Sequence, residues 1–155
     1  MDLTIVPYGN AQMSGDTVSC QHGPDECQGN AIEQCAFSLY DVYTAFPFYL
    51  CMEQAGENML NEVQDCATSA SLSYDKLADC FNNATTVTAN QKAAAAATPA
   101  DHTYTPWVVV DGTVMTGNSL LETVCAAYAG DAPAGCPTRT KRLRAVAAGP
   151  EPCMA

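Results

Sequence analysis

Cys20-Gln21-His22-Gly23-Pro24-Asp25-Glu26-Cys27-Gln28-Gly29-Asn30-Ala31-Ile32-Glu33-Gln34-Cys35 sets three cysteines and a histidine into sixteen residues. The fold turns on what those cysteines are for. Thiolate and imidazole are the usual ligands of zinc. Structural zinc sites, however, use tight C-x(2–4)-C hooks, whereas six residues separate Cys20 from Cys27 and seven separate Cys27 from Cys35. Crosslinking disulfides are the better reading, with no bound metal. His22, close to a cysteine, has the chemistry of a general base for a thiol, but a lone loop histidine more often serves as a hydrogen-bonding scaffold residue. Asn30 and Glu33 suit the start of a helix.

Working outward, the chain of 155 residues carries nine cysteines, at 20, 27, 35, 51, 66, 80, 125, 136 and 153. That usage belongs to an oxidising compartment, and the Asn83-Ala84-Thr85 triplet, a glycosylation acceptor by pattern, agrees with it. Cys125 and Cys136 stand at a separation a local disulfide could close, and Cys66 with Cys80 bracket a helical turn. Pairing is not derivable from spacing, because eight cysteines already allow 105 connectivities. Cys51, Cys66, Cys80, Cys125 and Cys136 are therefore crosslink candidates, with Cys153 the thiol left over. The net charge is −11, but Arg139, Lys141, Arg142 and Arg144 lie in the last eighteen residues. Before them two lysines face sixteen acids, a net of −14. Such a surface repels phosphate backbones and anionic lipid, which argues against nucleic-acid and membrane partners. No apolar run reaches the roughly 18 to 20 residues of a membrane span.

Leu3-Thr4-Ile5-Val6 reads as a strand closed by Pro7, Gly9 and Asn10. Residues 11–30 lack helical period and are expected to form a crosslinked loop. From Ala31 the spacing of Ile32, Cys35, Ala36, Leu39 and Tyr43 predicts a helix, and Pro47 the first turn of another. Met59, Leu60, Val63, Cys66 and Ala67 predict a third. Tyr74, Leu77, Ala78 and Phe81, after Ser73 as N-cap, predict a fourth. The alanine run at 93–97 favours a helix ending at Thr98-Pro99 and reads as a spacer. Trp107–Val110 and Thr113–Met115 flank Asp111-Gly112, a hairpin signal. Ser119 and Glu122 form a capping box for a last helix that stops at Gly130.

The quoted stretch matches, at every fixed position, the signature C-Q-H-G-x-x-E-C-x-x-N-x-x-E-x-C of the gamma-interferon-inducible lysosomal thiol reductase family. Its fixed residues here are Cys20, Gln21, His22, Gly23, Glu26, Cys27, Asn30, Glu33 and Cys35. Val6–Ala11, Cys51–Glu53 and Thr105–Val110 also resemble family segments, so the likeness spans roughly residues 3–137. The resemblance implies an α/β protein with a thioredoxin-like sheet and a helical, disulfide-crosslinked insertion at 31–97. One domain is then expected over residues 1–137, followed by a basic, disordered tail at 138–155. It implies a cofactor-free thiol reductase acting on disulfide-containing proteins in a lysosomal or secreted setting. Thr105 and Pro106 would form a cis-proline loop along which substrate lies, with His102 and Tyr104 as weaker candidates for the same wall.

Thiol–disulfide exchange needs an activated thiolate and a resolving cysteine, a task suited to C-x-x-C at a helix N-terminus. No two cysteines here are three apart. The resemblance places that motif on a strand–helix unit before Leu3. The expectation is that the first strand–helix unit lies upstream of Met1, and a signal peptide with it. The 155 residues alone are then inactive, and poorly stable through unpaired strand edges. The alternative is a non-catalytic, cysteine-rich interaction module on the same scaffold.

Overall fold

The computed structural model describes residues 2–117 and 119–137. The element order is β1 (Gln12–Ser14), β2 (Thr17–Ser19), α1 (Pro24–Leu39), α2 (Val42–Ala55), a 3-10 turn (Gly56–Asn58), α3 (Met59–Ser69), α4 (Tyr74–Asn82), α5 (Ala84–Ala97), β3 (Val109–Val110), β4 (Thr113–Val114) and α6 (Leu120–Ala127). The chain falls into two compact units that divide between Trp107 and Val108. Helices dominate, with two separate two-stranded antiparallel sheets, β1–β2 and β3–β4. The expected tail at 138–155, with Cys153, lies outside the described residues.

In the first unit α1 is the central element, touched by α2, α3, α4, α5 and β2. Its core unites Ile32, Cys35 and Ala36 of α1 with Ala45, Phe48 and Met52 of α2, Cys66 and Ala67 of α3, and Leu77 and Cys80 of α4. Phe48 and Met52 are fully buried, and each such side chain contributes on the order of 2 kcal/mol by leaving water. Two disulfides reinforce this packing. Cys35–Cys80 ties α1 to α4 across 45 residues, and Cys51–Cys66 ties α2 to α3 across 15. On a chain-entropy account these crosslinks remove roughly 4 and 3 kcal/mol of unfolded-state freedom. Cys66 and Cys80, which bracket a turn in sequence, therefore bond to other helices instead of each other, since their side chains face α2 and α1.

The structure corrects several sequence expectations. Leu3–Val6 is not a strand, because no chain lies alongside it among the described residues to complete a ladder. The 11–30 segment is not simply a loop. Gln12–Ser14 pairs with Thr17–Ser19 in a hairpin, and α1 begins at Pro24 rather than near Ala31. Pro24 occupies the first turn, where its missing N–H costs nothing. Asn30 and Glu33 consequently lie inside α1 rather than at its start. Pro47 does not open a helix either, but sits inside α2.

An internal proline costs roughly 3 kcal/mol through its lost hydrogen bond and ring clash. Asp41 helps to offset this by capping α2. Its Oδ1 accepts from the Tyr43 and Thr44 amides at 3.1 Å each, and its Oδ2 from the Thr44 hydroxyl at 2.6 Å. The Thr44 bonds hold the Asp41 carboxyl below the usual range. The alanine run proves to be the second half of α5, which begins at Ala84. It packs against α1 and β1 with Ala94 buried, so it is not a spacer.

In the second unit the Asp111-Gly112 turn, with φ of 47° and 75°, joins β3 to β4 as the sequence indicated, though each strand is only two residues long. Ser119 caps α6 by accepting from the Glu122 amide, and Cys125 bonds Cys136. The helix stops at Ala127 with Tyr128 as its C-cap, short of Gly130.

Replacing Asp41 by alanine removes the cap of a helix already weakened by proline. Urea denaturation of the variant is expected to show a loss of about 1 kcal/mol with an unchanged slope. An unaltered midpoint would show that Asp41 does not support α2.

Candidate functional site

The segment from Cys20 to Cys35 runs from the end of β2 through most of α1. Its left-handed Gly23 (φ 96°), a conformation that a side chain disfavours, turns the chain into the helix. Cys20 and Cys27 are bonded across this corner. Within it the Gly23 amide donates to the Cys20 carbonyl at 3.3 Å, and the Cys27 amide to the Gly23 carbonyl at 3.4 Å. Glu26 folds back over the corner. Its Oε2 accepts from the His22 amide at 2.6 Å and lies 3.2 Å from His22 Nδ1. His22 is thus a partner to Glu26 at an exposed corner.

Glu26, Asn30 and Gln34 follow at i, i+4 and i+8, one face of α1. That face holds the turn at residues 7–10. Asn30 Nδ2 donates to the Tyr8 carbonyl at 3.3 Å, and Gln34 Nε2 to the Pro7 carbonyl at 2.7 Å. Asn10 Nδ2 donates to Gln21 Oε1 at 2.7 Å. Gly9, with φ 59°, admits Glu26 close to its backbone: a Cβ there would stand 3.2 Å from Glu26 Oε1. Tyr8 and Ala11 are buried beside Ala94 of α5. Gln34 was not a sequence candidate, and only its position eight after Glu26 hints at its role.

Glu33 does something else. Its side chain is fully buried and neither carboxyl oxygen accepts a hydrogen bond; its polar partner is the Glu53 carboxylate, to which the protonated acid can donate. Burial, and after it the Glu53 carboxylate of α2, push its pKa to about 9. Burial and the same two carboxylates push Tyr49 to about 12. Glu33 is therefore a neutral acid at neutral pH. The signature ends at Cys35, whose bond to Cys80 is overlain by Asn90 of α5, with Nδ2 at 4.0 and 3.9 Å from the two sulfurs.

All three cysteines of the segment are engaged in disulfides, and among the described residues no group of three or more His, Cys, Asp or Glu side chains could hold a metal ion. Thr105 and Pro106 are exposed, and the peptide bond between them is cis. His102 Nδ1 faces the Pro99 carbonyl at 2.8 Å, and the Tyr104 ring lies 5.0 Å from that of Trp107. Among the described residues no hydrogen bond joins Thr105 or Pro106 to the Cys20–Cys35 segment. Asn83 is exposed and caps α5, its Oδ1 accepting from the Thr86 amide at 3.1 Å. No described helix is long and apolar enough to cross a membrane.

A helical unit tied by two disulfides, with a crosslinked corner opening its central helix, defines a cysteine-crosslinked α/β protein. Comparison with known proteins narrows the class. Residues 1–70 match the family model of gamma interferon inducible lysosomal thiol reductase. The chain is 33% identical over 150 residues to gamma-interferon-inducible lysosomal thiol reductase of Carassius auratus, covering 88% of this chain and 59% of that protein. It is 32% identical over 139 residues to the Mus musculus protein of the same name, covering 84% and 56%. To gamma-interferon-responsive lysosomal thiol protein of Arabidopsis thaliana it is 30% identical over 145 residues, covering 83% and 57%. The chain is thus similar to the gamma-interferon-inducible lysosomal thiol reductase family, and spans less than three fifths of the length of these relatives.

The buried Glu33 makes stability depend on pH with a definite sign. Its folded pKa, about 9, lies above the ordinary value of 4.5. Between the two, the native state keeps a proton that the unfolded chain has lost, so stability falls as pH rises, by about 1 kcal/mol per pH unit from this group. Glu33→Gln keeps the shape without the titration. Urea midpoints at about pH 5 and pH 8 are expected to differ less in the variant than in the parent, with the variant the more stable at the higher pH. Equal pH dependence in the two proteins would refute the assignment.

Proposed function

We propose that the chain is the crosslinked frame and substrate-facing wall of a thiol–disulfide oxidoreductase that reduces protein disulfides. The observation that carries this reading is the complete family signature from Cys20 to Cys35, joined to relatives that are named thiol reductases. On this reading residues 1–137 form one thioredoxin-like domain with the 31–97 helices as its insertion. Thr105 and Pro106 form the loop along which an extended substrate lies. Asn83 carries a glycan, attached through Nδ2 while Oδ1 keeps its cap, and the protein works in a lysosomal or secreted setting.

The reading gives these 155 residues no substrate-reducing pair of their own. Such a pair needs a resolving cysteine within reach of an activated one, and no C-x-x-C occurs here. The four disulfides among the described residues hold helices or turns together. A second reading, a non-catalytic interaction module, draws support from Leu39, Phe46 and Leu50, large apolar side chains left 39–43% exposed on α1 and α2.

Insulin reduction by a dithiol is expected to proceed at its background rate when the 155-residue chain is added, and clear acceleration at catalytic concentrations would overturn the inactive-frame reading. Binding of disulfide-scrambled ribonuclease distinguishes the two readings. The substrate-wall reading expects Thr105→Arg to weaken it several-fold, whereas the interaction-module reading expects Phe46→Ser to do so with Thr105→Arg silent.

A further inference from the structure

The four disulfides among the described residues differ in how they could meet an incoming thiol. Cys35, Cys66 and Cys80 are buried, which shields Cys35–Cys80 at both sulfurs and Cys51–Cys66 at one. Cys20–Cys27 and Cys125–Cys136 have only partly buried cysteines. These two sit at opposite ends of their helices. Cys27 is the fourth residue of α1, whereas Cys125 is the sixth of the eight residues of α6. A thiolate is stabilised by the partial positive charge at a helix N-terminus and disfavoured near the C-terminus. Glu26, the acid adjacent to Cys27, has its charge engaged by the His22 amide and imidazole. Asp25 remains as an opposing charge in that turn.

Local anchoring matters equally. Cys20–Cys27 closes the shortest separation of the four, seven residues. Its opening leaves α1 held by the Cys35–Cys80 bond and by the Asn30 and Gln34 bonds to the 7–10 turn. Breaking it therefore frees a corner without releasing a helix.

We propose that Cys20–Cys27 is a thiol–disulfide exchange site of the native fold, reduced by a dithiol through attack at Cys20. The attacking thiolate forms a bond to Cys20 Sγ as the Cys20–Cys27 bond breaks, and the electron pair departs on Cys27 Sγ at the α1 N-terminus. The second thiolate of the reductant then attacks its own sulfur in the mixed disulfide, releasing Cys20 as a thiolate. Two electrons and two protons pass from the dithiol to the cysteine pair, and the dithiol becomes a disulfide. This step makes the pair an electron acceptor, and it stands apart from the reduction of protein substrates proposed above.

The test uses the 155-residue chain without any protein substrate, so its result is separate from the insulin assay. Native protein is exposed to limiting dithiothreitol, quenched by acid at intervals, alkylated and mapped by mass spectrometry. Cys20 and Cys27 are expected to acquire label together, at least about tenfold faster than Cys35, Cys80, Cys51, Cys66, Cys125 and Cys136. A second measurement replaces dithiothreitol by glutathione, which leaves the mixed disulfide in place, and expects the adduct on Cys20. Labelling of Cys20 and Cys27 no earlier than the other pairs would overturn the site. An adduct on Cys27 would overturn the direction of attack.

Discussion

The Cys35–Cys80 bond fixes α1 against α4 at the centre of the helical unit, and the remaining packing is arranged around that fixed pair. Ile32 and Ala36 flank Cys35 on α1, while Leu77 approaches from α4, so the crosslink lies within the apolar core it constrains. Asn90 covers both sulfurs from α5. A covalent bond at this depth does more than subtract unfolded-state entropy. It sets the register of two helices whose polar-rich sequences would specify it poorly through side-chain packing alone.

With α1 held there, the signature divides into separate tasks. Cys20, Gly23, Glu26 and Cys27 turn and close the corner that starts the helix. Gln21 and Asn30, with Gln34 at one of the signature's unspecified positions, fasten the 7–10 turn by hydrogen bonds to Asn10 and to main-chain carbonyls. Glu33 brings an uncompensated acid inside. Burying a carboxylate that accepts no hydrogen bond, beside a second carboxylate at Glu53, is costly, and protonation is the cheaper state. The acid carries the opposite sign of pH dependence from that of salt-bridged carboxylates, which favour folding as pH rises.

Much of this was legible in the residues. Ser73 and Ser119 announce α4 and α6 because a hydroxyl before an apolar helical period is a local signal that needs no tertiary information. Asp111-Gly112 announces its hairpin for the same reason. The misread elements depend on context. Pro47 looks like a helix start unless the Asp41 cap is given priority over it, and Leu3–Val6 looks like a strand because β-branched residues suit one, whereas a strand also needs a neighbour. Cysteine pairing was illegible for Cys66 and Cys80, since bonding partners are chosen by the three-dimensional approach of α2 and α1. The signature could be matched as a string, yet nothing in it distinguishes the hydrogen-bonding Asn30 from the buried Glu33 three residues later.

The alanine-rich end of α5 shows how composition can understate constraint. Ala94 is buried against Tyr8 and Ala11, with Ala95 beside it. A methyl group is the smallest side chain that still excludes water there, so these residues act as a gauge for the gap between α5 and the elements beneath it. A leucine or phenylalanine in place of Ala94 would wedge the helix away and lift Asn90 from the sulfurs that it covers one turn earlier. The simplest stretch of the chain is thereby one of the least free to vary in size.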